Sequence, residues 1–343
     1  MWGNVQRYLI SNLVYGDLYY RIFVERHLRS ILDDTNLGTI KATHEIEYRI
    51  FTDPETKPKL EAHPNIKRLA SMATVDIVDF KWHQPQADGG FGKRYELLGQ
   101  ILNETIAYAL HPKDEKGNPA KPFDLVTAWV ADLVVARDFF PRIMRRMDAG
   151  HDAVFVLPLR SAFESTSAFF GQVNRALHDM DLFKLGFMHL HPLWTACHWG
   201  NPCFTRMPYS LLWKTRTGIM ARSFSVTPIV FRPKEAMLGA GCIDVDIPQH
   251  FENPYWCHDW IDAPVIGVEP LFCHHPPFQQ DGCSVWGVRK WINRKEGRPI
   301  HPSQKPFLKK KLFYPSRRHV KMPIMQQMAS TAVVNRILFG NRK

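Results

Sequence analysis

The chain alternates between short apolar runs and longer stretches in which apolar residues recur every three or four positions. The apolar runs lie at residues 7–14, 46–51, 75–80, 123–130 and 153–159. Their length and their Val, Ile, Leu and aromatic content predict buried strands. Helical periodicity lies at residues 18–33, 95–110 and 138–147. Strands that alternate with helices predict an α/β fold with a mostly parallel central sheet and helices on both faces.

Single residues mark where some of these elements begin and end. Asp138 is placed to cap or charge the first turn of the helix at 138–147, and Gly150 follows its end. Pro54 stops the second strand and suits the first turn of a following helix. The strand at 123–130, this helix and the strand at 153–159 together predict a strand–helix–strand unit.

The regular pattern loosens beyond Arg160 and predicts a loop-rich C-terminal half. Residues 161–176 have helical periodicity, and residues 211–232 predict one or two strands. Pro, Trp, His and Cys become frequent, and all six cysteines lie between Cys197 and Cys283. Nothing in the sequence indicates secretion, so we expect reduced thiols.

The basic charge of the chain is concentrated at its C-terminal end. The formal net charge is +11, but 15 of the 44 basic residues and only one of the 33 acidic residues lie from Arg289 onward. The preceding part therefore has 29 basic against 32 acidic residues. We predict a main domain over residues 1–288 and a basic extension over residues 289–343. Lysines beside aromatic residues at 305–321 are typical of contact with an anionic membrane or another polyanion.

The sequence lacks the signals of membrane insertion and export. No apolar run is long enough to span a bilayer, and the N-terminal residues do not resemble a signal peptide. We expect a cytoplasmic protein, and peripheral attachment to the inner face of the membrane stays open.

Two acidic residues follow predicted strands directly. Asp132 ends the apolar run at 123–130, and Asp53 ends the run at 46–51. Open α/β sheets bind ligands in the crevice outside the carboxyl ends of their strands. Asp132 and Asp53 are therefore candidate ligand contacts, and the open alternative for each is a turn or helix cap.

The order of elements resembles the GT-A family of nucleotide-diphospho-sugar glycosyltransferases, a Rossmann-like fold. The resemblance is carried by LVYGDLY at 13–19, YRIFTDPE at 48–55 and TAWVADLVVARDFFPRI at 127–143. It implies transfer of a sugar from a nucleotide-diphosphate donor to an acceptor, which for this chain is an unknown glycan, lipid-linked molecule or protein. Two later stretches, GIMARSFSVTPIVFRP at 218–233 and CIDVDIP at 242–248, resemble poorly characterised bacterial glycosyltransferase-like proteins.

In this family an Asp-X-Asp signature holds a divalent metal against the diphosphate of the donor. The matching tripeptide here, Val130-Ala131-Asp132, keeps only its second acid. The resemblance implies Mn²⁺ or Mg²⁺ at Asp132, with a late histidine such as His274 as a second ligand, and contact of Asp53 with the base or ribose. A metal-independent site and a lost activity are the alternatives.

Asp244-Val245-Asp246 is the one literal Asp-X-Asp of the chain. If the segment is extended, both carboxylates share one face and suit a metal or the role of general base. A solvated loop is the alternative, and paired carboxylates are also used in glycoside hydrolysis. Arg160 and Arg222 are candidate phosphate contacts.

Three further hypotheses belong to other classes. The clustered cysteines and histidines after residue 197 contain enough ligands for zinc, but lack the close spacing of a zinc knuckle. The stretch HPSQKP at 301–306 resembles a motif of DNA amino-methyltransferases, although no glycine-rich cofactor loop accompanies it. A non-catalytic protein that binds a membrane, a polyanion or a partner complex through its basic end is the main alternative to an enzyme.

Overall fold

The computed structural model describes residues 5–80, 91–114, 116–170, 175–271, 278–279, 282–293 and 300–340. By its contacts the chain forms two compact units. Unit 1 contains Met1–Phe155, Phe169–Leu177 and Thr227–Tyr255, and unit 2 contains Val156–Ala168, His178–Val226 and Trp256–Lys343. The predicted boundary between residues 288 and 289 falls inside unit 2.

The central sheet has seven strands and confirms the predicted α/β class. In chain order its strands are β1 (Gln6–Val14), β2 (His44–Thr52), β3 (Thr74–Asp79), β4 (Leu125–Val130), β6 (Ala153–Val156), β11 (Thr227–Phe231) and β12 (Tyr255–Trp256). Their order across the sheet is β12-β6-β11-β4-β1-β2-β3. β4, β1, β2 and β3 are parallel to one another, whereas β11 runs antiparallel to β4. Consecutive residues of β1 are buried from Tyr8 to Val14, so both faces of this strand are covered.

The remaining strands are short. They are β5 (Leu133–Val135), β7 (Leu159–Ala162), β8 (Phe204–Thr205), β9 (Ser210–Thr215), β10 (Gly218–Ser223), β13 (Val265–Glu269), β14 (Phe278–Gln279) and β15 (Leu312–Pro315). In unit 2, β9, β10 and β15 form an antiparallel sheet, β7 and β13 pair in parallel, and β8 pairs with β14.

The helices include one long element that changes its pitch. In unit 1 the helices are α1 (Gly16–Ile22), α2 (Leu28–Ile31), α3 (Leu37–Ile40), α4 (Lys57–Ala62), α5 (Pro64–Ala70), α6 (Phe91–Leu110) and α7 (Phe139–Asp148). A π-helical segment, Phe23–His27, joins α1 to α2 without a break in helical backbone angles, so residues 16–31 form one helix. Such π segments inside helices are frequent at functional sites.

Unit 2 has fewer helices than unit 1, and its last one is the longest. They are α8 (Phe163–Phe170), whose last two residues belong to unit 1, α9 (Asp179–Met188), α10 (Pro192–Ala196), α11 (Val285–Ile292) and α12 (Ile324–Phe339). Single 3₁₀ turns lie at Glu235–Met237, Pro248–His250 and Trp260–Asp262, and a longer 3₁₀ segment at Pro302–Lys309. A buried cluster of aromatic and aliphatic residues, which includes Trp213, Phe224 and Trp291, forms the core of this unit.

Several boundaries differ from the sequence predictions for physical reasons. The run at 153–159 is two strands, β6 and β7, because Pro158 has no N–H with which to continue a ladder. Residues 211–232 contain three strands rather than one or two. Pro54 lies in a turn, and the following helix begins only at Lys57.

The side chain that caps the start of α7 is not that of Asp138, as the sequence predicted. Asp138 has φ +59° and its side chain makes no cap hydrogen bond. Instead, the buried Asn36 accepts from Phe139 N at 2.8 Å and from Phe140 N at 3.4 Å. A residue about one hundred positions away therefore caps this helix.

Candidate functional site

The carboxyl ends of β1, β2 and β4 lie at one edge of the sheet of unit 1. Val14 pairs with Thr52, and Leu13 pairs with Val130. Because the three strands are parallel and adjacent, the residues that follow them emerge at this edge. Asp53 follows β2 and Asp132 follows β4, on either side of the central β1. The structure thus brings the two predicted strand-end acids to the same edge.

Asp53 ties together the turns that follow β1 and β2. Its Oδ2 accepts from Gly16 N at 3.0 Å and from Thr56 Oγ1 at 2.8 Å, and its Oδ1 accepts from Glu55 N and Thr56 N. Gly16 has φ +63°, a conformation that favours glycine. Burial raises the pKa of Asp53, but the hydrogen bonds from Gly16 and Thr56 outweigh it and leave that pKa below its ordinary value. Asp53 is therefore ionised at neutral pH and stabilises the edge.

Asp132 occupies the turn between β4 and β5, and its side chain is almost fully buried. The residue is 6% exposed. Burial of a carboxylate is costly unless its charge is compensated by hydrogen bonds, by an opposite charge or by a metal ion. A buried acid at the carboxyl end of a central strand is thus suited to hold a cation.

A buried polar network lies beneath this edge, and sequence reasoning missed it. Asn12 of β1 donates to Val130 O at 3.3 Å, and Tyr48 of β2 donates to Asn12 Oδ1. His27 of the π segment lies 2.9 Å from the Tyr48 hydroxyl through Nε2 and 2.6 Å from Leu133 O through Nδ1. The network joins β1, β2, the long helix and the residues on both sides of Asp132. The only sequence signal was a polar Asn within an apolar strand.

Burial controls the protonation of this network. Burial lowers the pKa of His27 to about 4, although the hydrogen bond to Leu133 O opposes this, so the ring is neutral at physiological pH. A neutral imidazole has one N–H, and the carbonyl of Leu133 requires it at Nδ1. Nε2 is then an acceptor, and the single O–H of Tyr48 is donated either to this Nε2 or to Asn12 Oδ1. Burial also raises the pKa of Tyr48 well above its ordinary value.

Asp244 and Asp246 lie in a turn, so the extended arrangement considered for them is not formed. Asp246 Oδ2 accepts from Gly241 N at 2.8 Å and from Cys242 N at 2.9 Å, which closes the turn. Asp244 Oδ1 accepts from the Cys242 thiol at 2.7 Å. Asn103 of α6 binds the preceding backbone at Gly239 N and Ala240 O. This loop is thus fixed on α6.

The two predicted arginines lie in unit 2 and make internal contacts. Arg160 forms an ion pair with Glu269 at 2.6 Å, beside Gly267, which has no side chain to obstruct it. Arg222 is 2% exposed and donates to Leu308 O, Lys309 O, Ser330 Oγ and Thr331 Oγ1. Burial lowers the pKa of Arg222 to about 10. These contacts give Arg222 a structural role and lend no support to a phosphate contact.

The histidine and cysteine predictions fall partly beyond the described structure. Cys273, His274 and His275 lie outside the described residues. Among the residues that are described, no group of three or more His, Cys, Asp or Glu side chains could hold a metal ion. No described helix has the length and hydropathy needed to cross a bilayer.

Comparison with known proteins gives distant structural likenesses only. No protein-family model and no curated protein sequence matches the chain. Among solved structures, S. aureus TarS is similar over 89% of this chain and 43% of its own, with 8% identity and a TM-score of 0.34. Mouse xyloside xylosyltransferase 1 is similar over 48% and 57% of the two chains, with 7% identity and a TM-score of 0.25.

A third similar structure is the mannosyltransferase Ktr4p of S. cerevisiae, with 13% identity, a TM-score of 0.23, and coverage of 53% of this chain and 44% of that one. This chain therefore spans about half the length of the three proteins. At this level of similarity the matches do not establish a family, an activity or a substrate.

Proposed function

We propose that the protein is a glycosyltransferase that moves a sugar from a nucleotide-diphosphate donor to an acceptor. The observation that carries the proposal is the position of Asp53 and Asp132 after β2 and β4, on either side of β1 at the carboxyl edge of a parallel sheet. Sheets of this kind bind nucleotides at that edge. The sequence resemblance at 13–19, 48–55 and 127–143 covers the residues that form it.

We propose that Asp132 holds Mn²⁺ or Mg²⁺ at this edge. These ions are commonly held by one or two carboxylates together with substrate phosphates. Asp132 is a single, nearly buried carboxylate, and His274 stays the predicted second ligand. When bound, the ion would stabilise the charge of the leaving diphosphate. Asp53 stays the predicted residue for the base or ribose. Because it already accepts four hydrogen bonds from Gly16, Glu55 and Thr56, it would act by holding in place the turns that contact them.

Asp244 and Asp246 are the two acids proposed to take the acceptor's proton. Asp246 accepts two backbone N–H groups that maintain the turn, and Asp244 accepts from the Cys242 thiol. We also propose Arg160 as a phosphate contact. Arg222 is buried in the core of unit 2.

Calorimetric titration with uridine and guanosine diphosphates, with and without Mn²⁺, tests the proposal. We expect binding of at least one of them, strengthened by the metal, because both would occupy the donor site. If neither diphosphate binds under either condition, the enzyme proposal is wrong.

A second candidate function, attachment to an anionic membrane, is favoured by the exposed face of α12. Ile324, Met325, Met328 and Phe339 on this face are 72%, 73%, 63% and 47% exposed. The opposite side of the helix is buried in unit 2 through Ser330, Val334 and Ile337. An apolar face of this size on a surface helix is typical of interfacial helices.

Lysines next to the same helix supply charge complementarity to anionic lipid. Lys309 Nζ lies 5.1 Å from the ring centroid of Phe339, and Lys311 donates to Gln327 at 3.2 Å. Residues 300–343 contain ten basic residues and no Asp or Glu. Basic groups near an anionic surface each contribute about 1 kcal/mol. The predicted contact region at 305–321 thus continues into the face of α12.

Co-sedimentation with vesicles tests this attachment. We expect binding to phosphatidylcholine vesicles that contain phosphatidylglycerol, and about tenfold weaker binding of the double variant Met325→Ser, Met328→Ser, because two side chains no longer enter the apolar layer. Met188→Ser is the matched control, since Met188 is 75% exposed on α9. If Met188→Ser weakens vesicle binding as much as the double variant does, the face of α12 is not the membrane contact. Binding to heparin without binding to vesicles would favour a polyanion as the partner.

A further inference from the structure

Unit 1 contains a polar pocket, the arginine pocket, which neither the sequence motifs nor the proposed donor site uses. It has a volume of about 260 Å³, and its wall includes Arg29, Arg68, Arg137 and Arg175 together with Asp33 and Asp34. Four guanidinium groups around one small cavity repel each other unless negative charge is present. In the wall of the pocket this negative charge comes from Asp33 and Asp34.

The first acid, Asp33, is used to hold the local backbone. Its Oδ1 accepts from Thr35 N at 3.0 Å and from Thr35 Oγ1 at 2.7 Å, and its Oδ2 accepts from Ala176 N at 3.1 Å. The Asp33 side chain is 9% exposed, and its distance to Arg137 Nε is 4.0 Å. Asp33 therefore neutralises one guanidinium while it anchors the wall of the pocket.

The second acid, Asp34, points into solvent and compensates little. Its side chain is 89% exposed, and its carboxylate lies 3.8 Å from Arg68. Exposed ion pairs of this kind contribute about 0–1 kcal/mol. Four arginines against two acids leave a formal charge of +2 on the pocket.

Arg68 and Arg175 keep hydrogen-bond donors that a ligand can use. Arg68 donates one hydrogen bond to Leu32 O, at 2.9 Å. Arg175 is exposed and forms no hydrogen bond or ion pair with the described residues. A guanidinium has five N–H donors in a planar fork that fits two oxygens of a phosphate or carboxylate at once.

The pocket lies further along the long helix than the turn that Asp53 holds. That helix, residues 16–31, begins at the carboxyl edge of the sheet, where Gly16 N binds Asp53. Arg29 lies thirteen residues further along it, which corresponds to about 20 Å at 1.5 Å per residue. On the other side, the pocket residue Arg137 follows Asp132 by five residues. The wall of the pocket shares no residue with the site proposed for the donor.

We propose that the arginine pocket binds a small phosphomonoester, such as a sugar phosphate or a nucleoside monophosphate. A phosphomonoester carries about −1.5 to −2 charge at neutral pH, which matches the excess charge of the pocket. Its three oxygens pair with forked donors, and the cavity volume lies near the lower end of those that hold small ligands. Binding here needs neither Asp132 nor a metal ion, so it does not depend on the proposed transfer activity.

Isothermal titration with glucose 6-phosphate and with inorganic phosphate, at constant ionic strength and without divalent metal, tests the pocket. We expect saturable binding to the wild type and about tenfold weaker binding to Arg175→Gln, because one charge-assisted donor is lost. Arg175 is exposed and makes no hydrogen bond or ion pair in the described part of the chain, so we expect its replacement to leave the fold intact. Arg145→Gln, an exposed arginine of α7 away from the pocket, is the matched control.

Three outcomes would overturn this proposal: no binding of either phosphate to the wild type, equal weakening in Arg175→Gln and Arg145→Gln, or citrate binding as tightly as the phosphates. The Asp132→Asn variant separates the two proposals. It should bind glucose 6-phosphate as the wild type does, even if the protein binds no nucleoside diphosphate at all.

Discussion

The Asp132→Asn variant is expected to bind a nucleoside diphosphate about 100-fold more weakly than the wild type when Mn²⁺ is present. A neutral amide is a poor ligand for a hard divalent cation, and the substitution changes the volume of this 6% exposed side chain very little. Without Mn²⁺, the two proteins should bind the diphosphate equally. Calorimetric titration under both conditions measures the difference.

Asp79→Asn is the matched control for this prediction. Asp79 is the exposed last residue of β3 and pairs with Thr52 of β2. Its substitution therefore removes the same charge from the same edge of the sheet, two strands away from β1. Its metal-dependent binding should stay at the wild-type level. If the Asp132 variant loses affinity equally with and without Mn²⁺, the acid contacts the donor or the fold rather than a metal.

Acidification should destabilise the protein through His27. This ring is fully buried, and burial lowers its pKa to about 4, whereas the unfolded chain has the ordinary value of about 6.5. Between these two values the unfolded state binds a proton that the folded state does not. The resulting loss in the free energy of unfolding is absent above about pH 7, reaches about 2 kcal/mol near pH 5 and stops growing below about pH 4.

Urea unfolding at several pH values measures this contribution. His27→Asn should lower stability at neutral pH by about 1–3 kcal/mol, because the Leu133 carbonyl and the Tyr48 hydroxyl each lose a partner. It should also remove the share of the pH dependence that lies between the two pKa values. His319→Asn is the control, since His319 is exposed and Asn tolerates its φ of +63°. An unchanged pH profile in the His27 variant would show that folding does not lower the pKa of this ring.

Much of the central sheet could be predicted because burial determines the residue pattern of its strands. β1 is buried at consecutive positions and is therefore a nearly continuous apolar run, whereas β2 alternates between buried apolar and more exposed polar residues up to Ile50. Both strands were predicted within two residues of their observed bounds. The placement of Asp53 and Asp132 followed from the same signal, since each comes directly after such a run. Local sequence was sufficient to predict an element wherever the burial of that element determined which residues it contains.

The features that were missed depend on partners distant in sequence. The cap of α7 comes from Asn36, and the network below Asp132 requires Asn12, Tyr48 and His27 to converge from three elements. The arginine pocket likewise combines side chains from residues 29 to 175. No local pattern records these contacts, because each residue alone is an ordinary polar residue on a helix, a strand or a loop.

The order of strands in the sheet also constrains how the protein can be synthesised. β11 lies between β4 and β6, yet it leaves the ribosome some seventy residues after β6. Until residues 227–231 emerge, β4 and β6 cannot have their final neighbour, and each presents an unpaired edge that can recruit other chains. The nascent protein is thus most prone to aggregation after β6 has been made, and truncations that end before Phe231 should accumulate as insoluble material even though they contain every acid of the strand-end site.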